Sequence, residues 1–493
     1  MKIINTIIIV IISTVGLIGL VYARKLISIA AAYQAKVLCS AVFVSGRNPQ
    51  SVLQDEFGIA SPSFIMRIIA TEVDFSSKQV TASFLGMVKR TAVYQPGLGS
   101  TLVYANLGLP HSNPNTVELS RHAGMDRQNL GYRDVLGPRR PCNLDCGDPY
   151  RNDGGNPNST QVRFNALLDW AFAEPDAKNL RLTRAVVILH QGKIVAERYA
   201  PGFDQAMPLP GWSMAKSVVN ALVGILVGQG SLDLSSPAPV PEWQGTGDPR
   251  REITLDQLMR MSSGLEFSEK ASNPLSDVTQ MLFTSPDAAA YAASKPLQAR
   301  PGTGWNYASG TTNIISQIMR DTLGEVGYRQ FPCKALFDPL GMDSAVFESD
   351  ASGTFVGSSF LYATARDWAK LGQLYCQDGV WEGQRILPEG WVNYSNTPTP
   401  SLAGRQYGAH FWLDIGQAQG NSDLEQPLPA DAFHATGYEG QYVSIIPSQQ
   451  LVVVRLGLTR KSSAWRQDRF LKRIIDALAK IDLQHFQHQR VTW

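Results

Sequence analysis

The chain has 493 residues, 44% of them hydrophobic and 17% charged. That length favours two or more globular units, one of them large enough to bury a substantial core. Lys and Arg number 44 against 42 Asp and Glu, a net charge of +2, which gives no electrostatic case for a nucleic-acid or strongly acidic partner.

From residue 3 to 23 there is no charged side chain, and Ile, Val and Leu dominate. As a helix this stretch is roughly 30 Å long, about one bilayer core. It is too long for the apolar part of a typical signal peptide, and Ala30-Ala31-Ala32 is the one small-residue run where cleavage would follow. We read residues 1–23 as an uncleaved transmembrane signal anchor, with a cleaved signal as the alternative. Lys2 precedes the span and Arg24, Lys25 and Lys36 follow it, so the positive-inside rule does not decide orientation.

Residues 24–160 read as a juxtamembrane region. Its start, to about residue 60, is partly helical. From Arg67 on, I-I-A-T-E-V-D, Q-V-T-A-S-F-L-G and R-T-A-V-Y-Q read as short strands, with turn chemistry at Phe75-Ser76-Ser77. They form a small β module. A connector rich in Pro, Asn, Gly and Arg follows, to about residue 159. Cys142 and Cys146 lie in it and are candidates for a bridge if this part is outside the cytoplasm. Their C-x3-C spacing, with no close His, gives no zinc signature. The remaining cysteines are Cys39, Cys333 and Cys376; the odd total leaves at least one free thiol. Leu38, where a lipobox wants a small residue, argues against lipidation at Cys39.

The main domain spans 161–493. F-N-A-L-L-D-W-A-F has helical periodicity. R-A-V-V-I-L-H and I-V-A-E-R-Y-A form a hairpin with Gly192 at the turn. A helix-rich middle follows. Two late β runs, Q-Y-V-S-I-I-P and L-V-V-V-R-L-G-L, precede a terminal helix. Strands at both ends with helices between predict an α+β fold: one antiparallel sheet completed by the terminal segments, flanked by helices, plus an all-helical subdomain.

Three strings carry candidate chemistry. Ser213-Met214-Ala215-Lys216 is the only S-x-x-K, at the start of a predicted helix. Residues three apart on a helix share a face, so the lysine nitrogen can reach the serine hydroxyl, which needs a base to act as a nucleophile. Chance alone gives on the order of one such match in a chain this long, so the motif needs support. Gly211-Trp212-Ser213-Met214-Ala215 is not a complete G-x-S-x-G. In W-N-Y-A-S-G, Tyr307 is a second proton carrier and Ser309 stands two residues on; a buried aromatic in a turn gives the same string. In F-H-A-T-G-Y-E-G, the small residues Ala435, Thr436 and Gly437 let a substrate lie along a strand edge.

In this order and spacing, S-M-A-K-S, W-N-Y-A-S-G and H-A-T-G resemble the three motifs of the β-lactamase/penicillin-recognising serine hydrolases, over about residues 161–480. The likeness is to the class C-like branch with 6-aminohexanoate-dimer hydrolases and family VIII esterases. I-T-L-D-Q-L-M-R-M-S-S-G-L and F-L-Y-A-T-A-R-D-W-A-K-L-G resemble further family segments. The resemblance implies a β-lactamase/transpeptidase-like fold and an acyl-enzyme on Ser213. Lys216 and Tyr307 would be its proton-transfer partners, with Tyr307 the base toward Ser213. Ser309 would join the lysine network. Thr436 and Gly437 would line the substrate, with His434 beside them, and the amides of Ser213 and Tyr438 would form an oxyanion hole. It implies no cofactor and no metal. The partners expected are a small-molecule or peptide-like substrate and, through the first helix, a membrane. The catalytic domain would then be extracytoplasmic, and the oligomeric state stays open.

Two departures narrow the expectation. Ala435 stands where the family's K-T-G lysine would meet a substrate carboxylate. In the loop S-E-K-A-S-N-P-L-S-D, which resembles that of nylon-oligomer hydrolases, Ala271 replaces the expected tyrosine. An esterase or amidase is the first reading. A D-Ala-D-Ala peptidase or β-lactamase is the second, and a catalytically silent binding protein on the same fold is the third.

Overall fold

A computed structural model describes residues 2–59, 64–105, 107–108, 157–270, 273–415 and 427–491. Cys142, Cys146, Ala271 and most of the connector lie outside the described residues. Helix α1 (Lys2–Phe43) is continuous. Over Gly19–Phe43 it is long and apolar enough to cross a bilayer. Yet Ala31, Ala35, Leu38 and Cys39 are fully buried in protein. They pack with an antiparallel sheet of order β1-β2-β3-β4: β1 (Ala70–Asp74), β2 (Gln79–Phe84), β3 (Val88–Gln95) and β4 (Gly99–Leu102). Cys39 Sγ lies 3.5 Å from the Ala92 carbonyl oxygen, and the Phe43 ring meets Phe75 and Tyr94. The stretch after residue 24 is thus part of the folded body. An apolar helix has much the same composition in a membrane and in a core, and the sheet packed against residues from Ala31 on makes that part of α1 core.

The β1–β2 turn forms where the sequence places it, with the Asp74 carboxylate accepting from the Ser76 amide at 2.8 Å and from the Ser77 hydroxyl at 2.7 Å.

Beyond the connector come α2 (Pro157–Phe172), β5 (Thr183–His190), β6 (Lys193–Tyr199), α3 (Ala215–Gly228), α4 (Ser309–Pro332, kinked at Gly324), α5 (Ala365–Cys376), β7 (Phe433–Gly437), β8 (Gln441–Ile446), β9 (Leu451–Gly457) and α6 (Gln467–Val491). The main sheet is antiparallel, in the order β7-β8-β9-β5-β6. The β9–β5 pairing, Val453 opposite Ile188, closes the sheet between the two ends of the domain. Gln191 and Gly192 both take positive φ (53° and 75°), as the two-residue turn of a twisted hairpin requires.

Helices cover both faces of this sheet. On one, Gly372 of α5 lies so close to β8 and β9 that a Cβ there would stand 2.5 Å from Val452 and 2.8 Å from Val443. On the other, Trp170 of α2 packs against Trp465 and Phe470 at the start of α6. A helical region between β6 and α5 completes the expected α+β architecture.

Candidate active site

The segment before α3 is under local strain. The Gly211 amide donates to the Leu361 carbonyl at 2.8 Å, and Trp212 takes φ 47°, a left-handed conformation costly for a bulky residue. Gly211 admits no side chain, because a Cβ would stand 2.2 Å from the Trp368 ring. The Trp212 indole is held by the Glu439 carboxylate at 3.3 Å and by the edge of Tyr438. This turn presents Ser213 at the head of α3, whose interior is buried.

One helical turn later, Lys216 is 1% exposed. Its Nζ donates to Ser213 Oγ, Ser309 Oγ and the Ser358 carbonyl, each at 3.0 Å. Three acceptors fill the three N–H positions of an ammonium. Burial still lowers its pKa to about 8, with the Glu269 carboxylate pulling the other way. Glu269 accepts from the Ser309 amide at 2.9 Å and from the Ser309 hydroxyl, and its own pKa is raised by burial, opposed by Lys216. The loop S-E-K-A-S-N-P-L-S-D gives no sign in the sequence that its glutamate belongs to the site. No motif spacing marks it, because a long-range loop contact brings it to Ser309.

Tyr307 faces the same cluster. Lys216 Nζ is 5.0 Å from its ring centre, and its ring packs on Tyr407 and Trp412 at 5.7 and 5.3 Å. Desolvation pushes the phenol well above its ordinary range. Glu269 adds to this, and a hydrogen bond with Ser213 partly offsets it. Tyr307 is therefore protonated at neutral pH, while Lys216 is the group poised near it. His410, which no motif marks either, lies behind Lys216. Burial holds it neutral, at about 3. Its Nδ1 is 3.0 Å from the Lys216 carbonyl, which can only accept, so Nδ1 carries the proton and Nε2 accepts from Thr312 Oγ1 at 3.1 Å.

The end of β7 closes on the turn that carries Ser213. At Gly437 a Cβ would stand 2.1 Å from the Gly211 carbonyl oxygen, so the strand reaches contact only as glycine. Tyr438, next in the chain, thereby comes edge-on to the Trp212 ring, one residue before Ser213. Thr436 is half-buried on the same strand. His434 goes elsewhere. It pairs with Ser444, which bonds Gln467 of α6, so its ring is on the α6 face of the sheet. It is buried there, held neutral at about 3. Ala435, opposite Val443, is buried on the α5 face. The structure thus gathers Ser213, Lys216, Tyr307, Ser309 and the Gly437–Tyr438 turn, and leaves His434 apart. No group of three or more His, Cys, Asp or Glu among the described residues is placed to hold a metal.

Comparison with known proteins places this geometry. The chain is 27% identical over 335 residues to a 6-aminohexanoate-dimer hydrolase of Paenarthrobacter ureafaciens, covering 62% of this chain and 80% of that protein. An uncharacterised protein of Alkalihalophilus pseudofirmus is 21% identical over 301 residues, 55% of this chain and 82% of its own length. Among solved structures, EstCE1, a hydrolase with promiscuous acyltransferase activity, shares the fold with a TM-score of 0.51 at 15% identity, over 65% of this chain and 98% of its own. The family model described as Beta-lactamase matches residues 168–476, the stretch that holds the main sheet and Ser213, Lys216, Glu269, Tyr307 and Ser309, and the chain belongs to that family of hydrolases.

Proposed function

We propose that the protein is a serine hydrolase that cleaves an ester or amide through an acyl-enzyme on Ser213. The observation that carries this is the Lys216 amine, 3.0 Å from Ser213 Oγ and lowered to about 8 by burial. Neutral Lys216 accepts the serine proton as Oγ bonds to the substrate carbonyl carbon. The oxyanion that forms lies toward the Ser213 and Tyr438 amides. Tyr307, protonated at neutral pH, gives its proton to the leaving oxygen or nitrogen and recovers one from Lys216. Water then cleaves the acyl-enzyme by the reverse sequence. In this assignment Lys216, rather than Tyr307, receives the serine proton.

Ala435 offers no cation for a substrate carboxylate, which favours simple esters and amides over β-lactams and D-Ala-D-Ala peptides. We further propose that α1 anchors the protein to a membrane, with the catalytic body outside the cytoplasm. The first part is tested with a fluorophosphonate label and p-nitrophenyl esters. Labelling at Ser213 and turnover lost in Ser213→Ala are expected, with nitrocefin a poor substrate. Wild type indistinguishable from Ser213→Ala in every assay would leave a binding protein instead.

A further inference from the structure

We propose that the β1–β4 module is a second membrane-contact surface. The tip of its β2–β3 hairpin, Leu85-Gly86-Met87, rests with Phe64 and Ile68 among the headgroups of an anionic bilayer at the level where α1 leaves it. This rests on the reading of α1 as a membrane anchor.

The geometry follows from register. α1 runs alongside β3, with Cys39 at Ala92 and Phe43 at Tyr94 and Phe75. Its C-terminal end is therefore at the β1–β2 turn, and its N-terminal part runs toward the opposite end of the sheet. That opposite end is the β2–β3 tip, because Phe84 pairs with Val88. It is also where β1 begins, because Ala70 pairs with Ser83, and the short helix Phe64–Arg67 and Ile68 lie just before Ala70. The exposed apolar side chains of α1, Leu17, Leu20, Val21 and Tyr22, lie beyond this same end.

Leu85 and Met87 are 74% and 72% exposed, and Phe64 is 72% exposed. Single exposed hydrophobics are ordinary on soluble proteins, but several gathered at one end beside an apolar helix form a patch. Leu85 also takes φ 48°, a conformation that Gly or Asn adopts at lower cost, while its side chain stays in solvent. Charge complements the patch. Arg24, Lys25, Arg67 and Lys89 are exposed around it, and Glu72 is the nearest acid along β1. Apolar tips that insert among headgroups, flanked by Lys and Arg, are the physical pattern of attachment to anionic lipid.

The test is photocrosslinking of the full chain in vesicles of phosphatidylcholine and phosphatidylglycerol. p-Benzoylphenylalanine replaces Leu85, Met87, Leu20 or, as a control elsewhere on the surface, the exposed Leu402. Lipid adducts at positions 20, 85 and 87, several-fold above those at 402, are expected. Adducts at 20 with only the control level at 85 and 87 would overturn this proposal and leave the anchor standing. No adduct at 20 would overturn the anchor reading and this proposal with it. Equal yields at 85 on phosphatidylcholine alone would overturn the role given to the cations.

Discussion

Lys216 is a cation with little water, three acceptors and one carboxylate nearby. Burial outweighs the carboxylate, so its proton leaves near pH 8 rather than above 10. An acceptor must be unprotonated to work, so kcat/KM for an activated ester is expected to rise as pH rises through about 8. Lys216→Arg keeps the charge and stays protonated, and should lose turnover by on the order of 10²–10⁴-fold with no recovery at high pH. A pH–rate profile of both proteins checks this; a limb at the same pH in the arginine variant would assign the titration to another group. Glu269 tunes the same limb. Its negative charge favours the protonated amine, so Glu269→Gln should move the limb below pH 8, while the amide oxygen still accepts from the Ser309 backbone. An unmoved limb with merely slower turnover would make Glu269 a packing residue. Ser213, Lys216, Tyr307 and Ser309 were legible because they lie in short strings with fixed spacing. Glu269 and His410 were not, since their roles arise from a loop and a buried turn that come near Lys216 only in the folded chain.

β7 acts through its backbone. Gly437 touches the Gly211 carbonyl, and that contact seats Tyr438 against Trp212 in the turn before α3. Gly437→Ala puts a methyl group 2.1 Å from the Gly211 carbonyl oxygen, backbone that cannot swing away, and 3.0 Å from Cβ of Gln441. Overpacking of this kind costs ~1–3 kcal/mol, and the shift it forces falls on the proposed oxyanion site. The expected result is kcat reduced by at least ten-fold for p-nitrophenyl esters with KM little changed, read by steady-state kinetics beside a denaturation midpoint. A fall in stability with kcat intact would separate the strand from the chemistry. The same element shows how far sequence reaches. The β7–β8–β9 run, the β5–β6 hairpin and the terminal helix were readable, because alternation, a turn at Gly192 and helical periodicity are local. The H-A-T-G string puts His434 with its neighbours as a substrate contact, yet alternation along β7 turns it to the α6 face. β4 went unread: Gly99–Leu102 is four residues long, and its burial comes from neighbours distant in sequence.

At the scale of the molecule, Glu348 ties the N-terminal helix to the catalytic body. Its buried carboxylate pairs with Lys36 of α1 and accepts from the Ser40 hydroxyl at 2.8 Å and from the Ser100 amide of β4 at 2.7 Å. α1 in turn reaches the site. The Tyr33 hydroxyl lies 3.4 Å from the Arg460 guanidinium, which also meets the Tyr438 hydroxyl at 3.3 Å and the Glu56 carbonyl at 2.9 Å. Glu348→Ala leaves the Lys36 ammonium buried without its partner, which should cost ~3–5 kcal/mol in chemical denaturation. The double variant Lys36→Met with Glu348→Gln removes both charges at similar volume and should regain most of that loss, because desolvating the ion pair offsets much of its attraction. If α1 also holds the Arg460–Tyr438 contact in place, ester turnover should fall in the single variant and return in the double one. Turnover that stays at the wild-type level in Glu348→Ala while stability falls would show that the helix supports the fold without reaching the chemistry.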